Sequence, residues 1–142
     1  MELSRRSWCL SLAAALASAR SLAAQSSALP SRVYPYDELP VRQSDGNSFR
    51  HILDGSTHRG VRVEAHATEL APGLRPHAPH RHKHEEMFLV REGTVEVLIE
   101  GKATKLGPGS VAFVASNEEH GIRNVGSAPA RYFVVTVGMG GE

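Results

Sequence analysis

Four side chains have the types and spacing of ligands for a divalent metal: His80, His82, Glu86 and His120. Neutral imidazole and carboxylate suit Zn, Fe, Mn, Co, Ni or Cu. His80 and His82 stand two residues apart, so on extended backbone both rings point to the same side. A turn at residues 83–85 brings Glu86 back toward the same point. A stable mononuclear site draws another donor from a separate strand. His120 is the natural candidate, because it follows the short apolar set Val111, Phe113 and Ala115. A structural zinc site is closed by its four ligands, whereas an ion that keeps open positions can polarise a substrate or bring substrate and O₂ together. The residue types alone leave both uses open.

Strands are the elements that must position these donors. From about residue 49 the apolar pattern has period two. Val61, Val63, Ala65 and Ala67 alternate with Arg62, Glu64, His66 and Thr68; Val95, Val97 and Ile99 alternate with Thr94, Glu96, Leu98 and Glu100. Residues 87–90 form an apolar strand, and residues 132–137 a β-branched run. Gly93, Gly101, Gly107, Pro108, Gly109 and Gly126 punctuate them as an all-β sandwich or barrel requires. Glu100 and Gly101, between two alternating runs, predict a tight hairpin. No stretch after the N-terminus sustains a 3.6-residue period, so helix is minor.

A length of 142 residues fits one domain, and 41% hydrophobic against 22% charged residues gives enough apolar material for a core. The formal charge is +1, with no cluster of Lys and Arg of the kind that neutralises phosphates, which argues against a nucleic-acid partner. Cys9 is the single cysteine, so disulfides and Cys-based zinc sites are excluded. Residues 1–24 read as a cleavable export signal: Arg5 and Arg6, an apolar stretch over 8–19, then small residues up to Ala23. Ser4, Arg5, Arg6, Ser7 and Trp8 resemble the twin-arginine export motif in part, with an ordinary Sec leader as the competitor. The apolar stretch falls short of the ~20 residues that span a bilayer. The mature protein is therefore expected to be periplasmic or secreted, with no membrane association. Residues 25–47, with Pro30, Pro35, Pro40 and Gly46, read as a linker or N-terminal arm, and 48–142 as the barrel domain.

The histidine region resembles the cupin family in both of its signature motifs. His80 and His82 are followed by three residues, then Glu86, then six residues, then Gly93; the upstream Gly73 stands one residue further out than the pattern. In the second motif Gly109 is followed after five residues by Ala115, Ser116 and Asn117, then by His120 and Asn124 at family spacing. Ala115 replaces a proline and Asn117 a glycine. Asn tolerates left-handed backbone best among residues with a side chain. The resemblance covers about residues 59–137. It implies a double-stranded jelly-roll barrel and a metal site of His80, His82, Glu86 and His120. It also implies one ion (Fe, Mn, Ni, Co or Zn), a small-molecule substrate or ligand, and a homodimer, since such proteins often pair.

Each residue also has a plainer reading. The four ligand candidates could be a solvated polar loop. His77 and His84 are read as neighbours of the site or surface residues, and Glu85 as solvated. Gly93 is read as a turn residue with positive φ, and Asn124 as a backbone-pairing or turn residue rather than a ligand. Phe88 and Phe113 are read as core. His51, His58 and His66 are left unassigned. The functional expectation is an exported metal-dependent enzyme on a small organic molecule, with dioxygenation first and lyase or isomerase chemistry next. The alternative is a non-catalytic periplasmic module that binds metal or a small ligand, because this fold hosts many functions.

Overall fold

A computed structural model describes residues 28–139. The export signal read over residues 1–24 lies outside the described residues. A single 3-10 turn, η1 (Tyr36–Glu38), precedes β1 (Val41–Ser44), β2 (Asn47–Ser56), β3 (Val61–Leu70), β4 (Glu85–Glu92), β5 (Val95–Ile99), β6 (Lys102–Leu106), β7 (Val111–Val114), β8 (His120–Asn124) and β9 (Ala130–Met139). They form two antiparallel sheets, one of order β1-β2-β3-β9-β4-β7 and one of order β6-β5-β8. The all-β jelly-roll expectation holds, and helix is as minor as the missing 3.6 period required.

The sheet starts earlier than the alternating pattern does. Within the stretch read as a linker or arm over 25–47, β1 pairs with β2 from Val41↔Arg50 to Ser44↔Asn47. Asp45 and Gly46 turn the chain with φ of 49° and 83°, the left-handed pair of a two-residue hairpin. The four residues of β1 are all exposed, so no buried face marked this strand in the sequence. The second hairpin was legible: Glu100 (φ 46°) and Gly101 (φ 78°) join β5 to β6 with Val95 opposite Leu106 and Ile99 opposite Lys102.

The core is Leu70, Phe88, Val90, Val95, Val97, Val114, Ile122, Ala130, Tyr132 and Val134. Register explains why these face inward. Phe88 pairs with Val134 and Val90 with Tyr132 across β4 and β9, so the even-numbered residues of both strands share one face. Phe113 is corrected by the same rule. On β7 the inward positions are Ala112 and Val114, and Val114 is fully buried, so Phe113 and Val111 point outward, each 57% exposed. Gly93 is required where it stands: its φ is 79°, and an added Cβ would lie 2.7 Å from the Cα of Ala130.

Candidate metal centre

Two stretches of chain meet at the site through their backbones. His80 donates its N–H to the carbonyl of His120 at 3.0 Å, and His120 returns the bond to His80 at 3.0 Å. Residue 80 thereby extends the β6-β5-β8 sheet by one bridge. The absence of a side chain at Gly121 permits this approach, since a Cβ there would meet Pro79 Cγ at 3.3 Å. The N–H of Asn117 then donates to the carbonyl of His82 at 2.8 Å. Asn117 holds φ at 63°, the left-handed geometry expected from its place in the second motif. Gly73 and Asn124, at the outer ends of the two motifs, are tied as well, the N–H of Gly73 reaching the Asn124 carbonyl at 3.1 Å.

These backbone ties bring together one ligand atom each from His80, His82 and His120, all within 4.8 Å of one another. Glu86 joins them from the start of β4: its Oε2 lies 3.0 Å from His120 Nε2 and 3.8 Å from His82 Nε2. The turn expected at residues 83–85 is realised as a bend ahead of β4. All four sequence-read donors therefore converge. His84 stacks on His82 with ring centroids 3.6 Å apart, and His77 meets His80 edge-on at 4.3 Å, so both flank the cluster. His66 turns instead to Glu64, with Nδ1 and Oε1 2.9 Å apart.

The polar contacts prepare the rings for a cation. His82 and His120 each donate from Nδ1 to a backbone carbonyl, of His84 at 2.9 Å and of Glu118 at 2.8 Å. That leaves Nε2 of each ring directed at the cluster, the arrangement by which outer partners orient metal-binding imidazoles. Nε2 of His120 is buried and has no hydrogen-bond partner. Its 3.0 Å approach to Glu86 fits an ion pair by distance, yet makes no hydrogen bond. Nδ1 of His80 is likewise buried and unpartnered.

Charge points the same way. Burial, followed by the neighbouring rings of His77, His120, His82 and His84, lowers the pKa of His80 to about 4, so this imidazole is neutral and able to ligate at neutral pH. Burial raises the Glu86 carboxyl above its ordinary range, with His82 opposing. A largely buried carboxylate is costly without a cation beside it. The donor set therefore fits a divalent transition metal.

A cavity of about 500 Å³ opens against the cluster, with Glu86 in its wall. Phe49, Phe88, Tyr132 and Val134 line its apolar side, and His66 and Thr68 present polar groups from β3. His66 and Thr68, two of the polar members of the β3 alternation, thus face the cavity.

Sequence reasoning missed a brace outside the cavity. Arg81 donates to Glu100 at 2.6 Å and to the Asn117 carbonyl at 2.8 Å, while the Glu119 N–H donates to Glu100 at 2.6 Å. The β5–β6 hairpin tip thereby ties the first motif to the second. Nothing local signalled it, since the partners are 19 and 36 residues apart.

Among known families, the Cupin domain family matches residues 66–136. L-ectoine synthases of Bordetella parapertussis and Bordetella bronchiseptica are 31% identical over 77 residues, a match covering 54% of this chain and 58% of theirs. The chain thus spans little more than half the length of these curated relatives. Among solved structures, a predicted oxalate decarboxylase from Thermotoga maritima superposes with a TM-score of 0.67 at 22% identity, covering 76% of this chain and all of that one. An RmlC-like cupin from Shewanella frigidimarina gives 0.65 at 17% identity, over 77% of this chain and 92% of the other.

Proposed function

The chain belongs to the cupin family, and from that premise we propose that it is a metal-dependent enzyme acting on a small organic molecule. His80, His82, Glu86 and His120 hold one divalent ion of Fe, Mn, Ni, Co or Zn. The carrying observation is the convergence of three imidazole nitrogens within 4.8 Å beside a buried carboxylate, with His120 Nε2 buried and unpartnered. When bound, such an ion supplies Lewis-acid polarisation at positions left open by four protein donors. The chain's own residues do the rest. The Glu118 and His84 carbonyls fix ring orientation, and the apolar wall of Phe49, Phe88 and Val134 limits water around a substrate.

We place lyase or isomerase chemistry ahead of dioxygenation. The support is the partial identity to proteins named L-ectoine synthase, a name that invokes no O₂. Export to the periplasm or beyond is proposed on the N-terminal residues alone, and the mass of the protein recovered from the exported fraction tests it. Metal analysis of protein purified from its native compartment tests the centre. One ion per chain is expected in the native protein and none in His82→Ala; a variant that keeps its metal overturns the ligand set. An O₂-uptake screen then separates the two reaction classes, and a loaded protein that turns over no candidate substrate leaves a binding module.

A further inference from the structure

The cavity carries cations that the metal centre does not use. Most arginines of the barrel are committed. Arg62 pairs with Asp54, Arg81 with Glu100, Arg123 with Glu96, and Arg131 with Glu69 and Glu92, while Arg50 donates to the Leu39 carbonyl. Arg42 and Arg75 differ: both line the metal-side cavity, and neither guanidinium has a partner among the described residues. Arg42 comes from β1 and Arg75 from the loop that follows β3. Asn47, at the start of β2 and paired with Ser44 of β1, ties this hairpin to the loop by donating from Nδ2 to the Arg75 carbonyl at 3.4 Å. Asp45, at the β1–β2 turn, is the carboxylate that offsets them, and it already accepts from the Ser44 hydroxyl at 3.2 Å. With Glu86 committed to the metal cluster, the two guanidiniums outnumber the one remaining carboxylate of the cavity lining, whose walls are largely apolar.

An unpaired guanidinium beside a ligand-sized cavity suits a planar anion, because its fork matches the two oxygens of a carboxylate. Resting on the metal-enzyme reading above, we propose that the substrate is a small carboxylic acid with an apolar body. Its carboxylate is held by Arg42 and Arg75 at the rim, and the remainder reaches toward Glu86 and the metal cluster. Arg42 lies on β1, outside the family-matched residues 66–136, so part of the specificity belongs to an element outside the matched segment. Both arginines are exposed, so their replacement leaves the core untouched.

The test uses the full chain loaded with Zn(II) and two probes of matched shape, phenylacetate and phenylacetamide, titrated by calorimetry. The acid is expected to bind about tenfold more tightly than the amide, the size of one charge-assisted contact. The double variant Arg42→Gln, Arg75→Gln is expected to erase that preference while keeping its metal. Equal binding of the two probes, binding of neither, or a preference that survives the double variant overturns the proposal. His82→Ala distinguishes the two readings. Loss of metal with an arginine-dependent preference retained supports both. Retained metal sinks the ligand assignment alone, and a preference lost in His82→Ala but kept in the double variant shows that the ion, not the arginines, reads the carboxylate.

Discussion

The two ends of β8 bury polar side chains to opposite purposes. Asn124 and His120 are 0% and 1% exposed, four residues apart on one strand. Asn124 is fully engaged: Nδ2 donates to the carbonyls of Leu70 at 2.9 Å and Ala128 at 2.8 Å, and Oδ1 accepts from the Gly126 N–H at 2.9 Å. His120 satisfies only Nδ1 and leaves Nε2 with no hydrogen bond. Buried polar groups in folded proteins are nearly always paired, so an orphan flanked by His80 and His82 fits a group of residues that could hold a metal ion. One end closes the barrel; the other turns a nitrogen toward the donor cluster.

The sharpest way to break this comparison is His120→Ala. Metal affinity is expected to fall by at least ~100-fold, since a ligand matters more than the outer partners whose loss costs 10–100-fold. The metal-free protein should lose less stability than in Asn124→Ala. Equal losses in urea unfolding would show that both ends are structural. Asn124→Ala strands the buried Leu70 carbonyl and releases the part-buried Ala128 carbonyl and Gly126 N–H, and should cost about 2 kcal/mol, read as a lower denaturation midpoint. Gly93→Ala acts at the closed end too, through positive φ and the 2.7 Å approach to Ala130, and should cost about 2 kcal/mol with metal stoichiometry intact.

Acid should distinguish the ends more gently. His80 is held near 4 in the folded protein, against about 6.5 for an unperturbed imidazole. Between these values the unfolded chain binds the proton and the folded chain does not. Its contribution to stability is therefore lost as pH falls from about 6.5 to about 4. Glu86, whose carboxyl is raised, works in the other direction, disfavouring the metal-free fold as pH rises through its folded value. Urea midpoints of metal-free protein against pH should slope on the acid side, and His80→Ala should flatten that slope. The smallest effect is expected from His84→Ala. His82 bonds to the backbone carbonyl of residue 84, which the substitution keeps, so metal affinity should change by less than about tenfold, as for a single outer partner.

How much of this was legible follows from distance along the chain. The ligand types at 80, 82, 86 and 120, the left-handed Asn117, the Gly93 turn and the 100–101 hairpin are short-range features, written in spacings of a few residues. Phe113 was misplaced because alternation gives the period of a strand but not which phase faces inward. That choice is made by pairing with β4, where Met87 lies opposite Phe113 and Glu86 opposite Val114.

The amino-acid sequence alone determined an all-β barrel and the donors at its site, because side-chain period and turn chemistry act locally. Tertiary structure decided what surrounds those donors. It set His66 and Thr68 of β3 toward the cavity, joined Arg81 to Glu100 and Asn117, and brought Arg42 and Arg75 to one cavity. The reason is physical: such contacts join residues tens of positions apart, and only the summed register of paired strands, each fixed by burial across the sheet, determines who meets whom.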